Sequence, residues 1–265
     1  MAFPVYGGGG PAEVGGPAGH TYAAVLVRSG SSPVHSGHGY PSELPLSVVA
    51  ALRAIRFSGW VAREPADGWV AVVPRRGAGT VAAGRRGVAG VGEMLAGLGG
   101  PALAVRVLQD RQLLLVAWDG GAEAGRYVSD PSREPGAGDD LLAEPYGVRD
   151  APAIAAVCGR PDAGEDLTGL LREELDPEST IESERLGRVA RLLGLPTWLV
   201  AIPSLPRDIP TGPSRRDWIR LGAGLPGVPG RLAGWAADVV RKRRPPPPAV
   251  TDAPRGNSDV DPWLM

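Results

Sequence analysis

The sequence predicts an α+β fold, an antiparallel sheet of five or more strands with helices packed mainly on one face and disordered N- and C-terminal tails. Three observations carry this. Short apolar runs between residues 102 and 128 are joined by turns too tight for anything but antiparallel neighbours. Apolar residues recur at helical spacing in several other segments, most clearly after residue 179. Glycine (39) and proline (28) make up about a quarter of the chain and dominate its two ends, where little can be buried.

The elements follow in order. Residues 1–20 are a Gly/Pro-rich arm, expected to be disordered. Tyr22 to Val27 is a strand ended by Ser29-Gly30, and Val48, Val49, Leu52 and Ile55 mark a helix whose first turn holds Pro45. Gly59–Arg63 and Trp69–Val73 flank Glu64-Pro65-Ala66-Asp67-Gly68 and read as a hairpin. Val91–Leu98 reads as a short helix closed by Gly99-Gly100. The meander comes next: Ala102–Val107, a turn at Gln109-Asp110-Arg111, Leu113–Trp118, a turn at Asp119-Gly120-Gly121, and Gly125–Val128. Beyond a polar connection at 131–149, residues 151–157 and 166–175 suit helices. Ser179-x-x-Glu182 reads as a capping box opening a helix that buries Leu186, Val189, Leu192 and Leu193 and stops at Gly194-Leu195-Pro196. Thr197–Ile202 is expected to be a strand, able to join the same sheet. The predicted globular domain is thus 21–205. A Pro/Gly-rich extension with an amphipathic helix occupies 206–242, with Trp218 and Ile219 as a lone apolar anchor, and 243–265 is a disordered tail.

Composition narrows the function classes. The 28 basic and 29 acidic residues balance, unlike the strongly basic domains that grip nucleic acid. Lys242 is the single lysine among them, so the chain is arginine-rich, which we read as compositional bias. Cys158 is the sole cysteine and forms no intramolecular disulfide. Neither an apolar leader nor an apolar run of membrane-spanning length occurs, and a cytoplasmic location is the expectation.

Four groups of residues invite a chemical reading. Gly77-Ala78-Gly79-Thr80-Val81-Ala82 fits a dinucleotide-type glycine pattern, with Asp110 as the acid that would meet a ribose. Arg75-Arg76 intervene after the strand and glycines crowd the would-be helix, so a surface loop is the preferred reading. His20, His35 and His38, with Glu43, could ligate a metal but fall in Gly/Ser/Pro-rich segments and read as solvated. Cys158 closes an Ala-rich helix and reads as a buried apolar residue. The acids from Glu173 to Glu184 bracket a helix start, where they favour the dipole. The remaining feature is C-terminal: Trp235 on an amphipathic stripe followed by Arg241, Lys242, Arg243 and Arg244, a possible contact for a partner or an anion.

No catalytic, cofactor or metal residue is assigned, and no cofactor is expected. The expected function is a non-enzymatic interaction or accessory protein working through protein–protein contacts. The alternatives are a small-ligand or nucleotide-binding enzyme using the Gly77–Asp110 region, and a membrane-surface or nucleic-acid adaptor using the basic C-terminal helix.

Overall fold

A computed structural model describes residues 19–28, 43–62, 66–134, 137, 142–174, 181–205, 209 and 212–222. The N-terminal arm, His35, His38, Ser179, the 231–242 helix with Trp235, and Arg241 to Arg244 lie outside the described residues.

The fold is α+β, built on one seven-stranded antiparallel sheet. Its strands are β1 (Tyr22–Arg28), β2 (Gly59–Ala62), β3 (Trp69–Pro74), β4 (Ala102–Leu108), β5 (Gln112–Asp119), β6 (Ala122–Val128) and β7 (Trp218–Leu221), arranged β6-β5-β4-β1-β3-β2-β7. The predicted hairpin is β2–β3, with Val61 opposite Val72. The meander is β4–β5–β6, with Val105 opposite Leu115 and Leu115 opposite Tyr127. Gln109 and Asp110 both take positive φ of 53°, the left-handed pair that a tight hairpin with matched twist requires.

Helices cover both faces, with the larger layer on one. α3 (Ala151–Val157), α4 (Gly164–Arg172) and α5 (Glu182–Leu193) pack on the face carrying Tyr22, Leu103, Leu115 and Tyr127. α1 (Glu43–Ala54) and α2 (Val88–Ala96) pack on the face carrying Val25, Val72, Leu114 and Trp118. Burial on both sides explains why the central strands read as continuous apolar runs instead of alternating. α2 starts three residues before the predicted Val91. Its Gly92 is required by proximity, since a Cβ there would stand 2.5 Å from Cζ3 of Trp118.

Three expectations need correction. Thr197–Ile202 is not a strand but part of a 3-10 helix, Thr197–Ser204. Left-handed Gly194 turns the chain back at the end of α5, and the run then buries Trp198, Leu199 and Ile202 while Thr197 stays exposed. That spacing fits a helical turn against α5 and not a pleat. The seventh strand comes from Trp218 and Ile219, read as a lone anchor, which pair as β7 with Ala62 and Val61. Finally, α5 begins at Glu182, with Ile181 at its N-cap, so Glu182 stands at the first helical position and not the third.

Candidate functional site

The densest polar chemistry lies where α5 meets the tip of the β4–β5 hairpin. Asp110, in the turn, presents its carboxylate to two donors: the backbone N–H of His20 at 2.6 Å and the hydroxyl of Ser183. Ser183 Oγ in turn accepts from the Tyr22 hydroxyl at 2.8 Å. The main chain of Asp110 is also engaged. Its N–H donates to the His20 carbonyl at 3.0 Å, and its carbonyl accepts the Glu182 N–H at 3.1 Å. The hairpin tip therefore caps α5 through space, meeting a first-turn donor with a carbonyl remote in sequence and placing a carboxylate at the helix N-terminus.

One turn into α5, Arg185 crosses a buried space. Its Nη1 donates to Tyr127 Oη at 3.1 Å and to Glu182 Oε1 at 3.1 Å, and its Nη2 donates to the Glu173 carbonyl. Tyr127 Oη itself donates to the Leu171 carbonyl at 3.0 Å. Leu171 and Glu173 sit at the end of α4, so Arg185 and Tyr127 together satisfy orphan carbonyls there. The ion-paired side chains of Glu182 and Arg185 are each only 3% exposed. Burial holds the Glu182 carboxyl above the usual carboxylate range, opposed by a hydrogen bond to Ser129 and by the Arg185 charge. Burial also raises both phenols, Tyr22 to about 12 and Tyr127 further. These phenols are protonated donors at neutral pH, not bases.

On the opposite sheet face a second buried group fastens the 131–134 turn. Arg106 Nη2 donates to Gln112 Oε1 at 3.0 Å and to Glu134 Oε1 at 2.6 Å, and Gln112 Nε2 donates to the Asp130 carbonyl at 2.6 Å.

The two halves of the Gly77–Asp110 region do approach one another, through Tyr22. Gly77 lies against the Tyr22 backbone, where a Cβ would come within 2.4 Å of Tyr22 N and Cα. That contact uses the glycine for packing. Gly77–Ala82 leads into a 3-10 turn at Ala83–Arg85, and both flanking strands belong to an antiparallel sheet. His20 is exposed, and among the described residues no group of three His, Cys, Asp or Glu side chains is placed to hold a metal ion. Cys158 is buried, as the sequence suggested, and burial pushes its thiol up to about 12. No described helix is long and apolar enough to cross a membrane.

Sequence reasoning missed the seam of Tyr22, Asp110, Tyr127, Glu182, Ser183 and Arg185. Its first and last members, Tyr22 and Arg185, are 163 positions apart, and the set shares no local pattern. The one available signal was Arg185, an arginine one position from Leu186 on the face expected to be buried. Comparison with known protein families, curated proteins and solved structures gives no match.

Proposed function

We propose that this chain is a non-enzymatic interaction or accessory protein acting through protein–protein contacts. The observation that carries the reading is how the buried carboxylates are used. Asp110 ties α5 to the β4–β5 turn, Glu182 pairs with Arg185 within α5 and bonds to Ser129 just after β6, and Glu134 ties down the turn at 131–134. Each is committed to holding elements together, and the two phenols beside the seam are held protonated by burial. A cooperative scaffold with its ionisable interior spent on structure leaves its surface as the working part. Exposed apolar side chains such as Leu46 (65%) and Leu142 (68%) supply contact area of the kind interfaces bury.

The test is affinity purification of the tagged full chain from its native host, with chemical crosslinking and mass spectrometry. A partner recovered in stoichiometric amount, crosslinked to described surface residues, is the expected result. Recovery of the chain alone, together with saturable binding of a nucleotide that protects the 77–110 region from proteolysis, would replace this reading with the ligand-binding one.

A further inference from the structure

The surface on the α1–α2 side carries a charge feature that the balanced total conceals. Between residues 53 and 86 there are seven arginines and two acids, while the whole chain is at net −1. The fold gathers six of those arginines. Ala83 N–H donates to the Ile55 carbonyl at 2.7 Å, Ser58 N–H to Val81 at 3.1 Å, and Arg75 N–H to Ser58 at 2.9 Å. These bonds lash the end of α1, the loop after β3 and the 3-10 turn before α2 into one corner, bearing Arg53, Arg56, Arg75, Arg76, Arg85 and Arg86. All six are exposed. Of the two acids, Asp67 sits in the β2–β3 turn at the far end of the hairpin, and Glu64 lies outside the described residues. Trp69 and Pro74 are five residue steps apart along β3, on the order of 15 Å, which exceeds the Debye length at physiological salt.

We infer that this corner is a docking surface for an acidic segment of a partner protein, an inference that rests on the interaction reading above. Two observations favour a carboxylate-bearing segment over a nucleic acid or a lipid surface. Outside the 53–86 window the chain is net negative, so an extended uniform polyanion meets repulsion beyond the corner. None of the residues that carry the six arginines is flanked by an exposed aromatic on which a base could stack. Guanidinium forks pair bidentately with carboxylates, and the corner fixes several of them on short, backbone-bonded turns.

The backbone supplies a clean perturbation. Arg56 and Arg85 adopt positive φ of 53° and 58°, where glycine is the easier residue. The double variant Arg56→Gly/Arg85→Gly therefore removes two charges at positions whose backbone conformation glycine adopts readily. The measurement is fluorescence anisotropy of a labelled short peptide, a few glutamates set in a glycine-serine background, titrated with the full chain at low and physiological ionic strength. Parallel titrations use duplex DNA and phosphatidylserine vesicles. We expect saturable peptide binding that weakens with salt, roughly tenfold weaker in the glycine double variant, which still unfolds in one cooperative transition, and lost in Arg75→Glu/Arg76→Glu. Peptide binding that is absent at low salt, or indifferent to these variants, overturns the inference. So does tighter, arginine-dependent binding of DNA or vesicles, which would make the corner a general polyanion surface. If a stoichiometric cellular partner is retained equally by wild type and by both variants, the interaction reading stands and this inference alone falls.

Discussion

Replacing Arg185 with leucine tests whether the seam beneath α5 is a dry, structural ion pair. The substitution keeps an apolar stem and removes every bond to Tyr127, Glu182 and the Glu173 carbonyl. With both side chains 3% exposed, the stranded Glu182 carboxylate has no route to water without distorting the start of α5. Removing one partner of a buried pair costs about 3–5 kcal/mol, a large share of the roughly 5–15 kcal/mol that holds a domain folded. The dependence on pH follows from the direction of the Glu182 shift. Its carboxyl is raised above 4.5 by burial, with Arg185 opposing, so loss of Arg185 raises it further. A carboxyl raised in the folded state contributes stability that is present below the unfolded value and lost as pH rises through the folded one. The variant should accordingly lose least near about pH 5 and most near about pH 8. Urea unfolding followed by tryptophan fluorescence at both pH values measures this. Glu182→Gln in the variant background should restore about 2 kcal/mol and flatten the pH dependence. A cost below about 1 kcal/mol would mean that the pair is solvated in effect, and equal costs at both pH values would mean that Glu182 is not the group left stranded.

Three further outcomes follow from single contacts. Gly92→Ala should cost about 1–3 kcal/mol by the same unfolding assay, because the new methyl collides with the Trp118 ring between α2 and the sheet. Cys158, with its thiol raised to about 12 by burial, should stay unlabelled by a chromogenic disulfide reagent at neutral pH and react stoichiometrically once the chain is unfolded. Arg56→Gly alone should raise stability by about 0.5–1 kcal/mol, the relief of left-handed strain less the added freedom of the unfolded chain; a loss would mean that its side chain is held in place after all.

How much was legible in the sequence tracks how far each determinant reaches along the chain. The β4–β5–β6 meander was readable because its turns, Gln109-Asp110 and Gly120-Gly121, lie between the strands they join. Cys158 was readable because the Ala-rich α3 before it left little but burial. Thr197–Ile202 was misread because its β-branched and aromatic residues score as a strand, while the deciding fact is the cover they give to α5 after Gly194 reverses the chain. β7 was missed for the complementary reason. A four-residue edge strand amid prolines has no periodicity of its own, and pairing with β2 supplies it.

The start of α5 shows why the candidate site was harder still than the fold. Sequence logic placed the cap at Ser179, because a serine three positions before a glutamate is a local solution to orphan amides. In the structure the Glu182 amide is met by the Asp110 carbonyl, and the Glu182 carboxylate turns inward to Arg185. The glutamate that looked like half of a cap is half of a buried ion pair, and the aspartate that looked like a hairpin turn residue does the capping. What sequence could not supply was the partner, since Asp110 and Glu182 meet only after β4 and β5 have paired and α5 has docked across them. A seam of this kind is a consequence of the fold. That is why its residues are better tested as stabilisers of α5, and why the search for function moves outward to the arginine corner, where the charge is exposed.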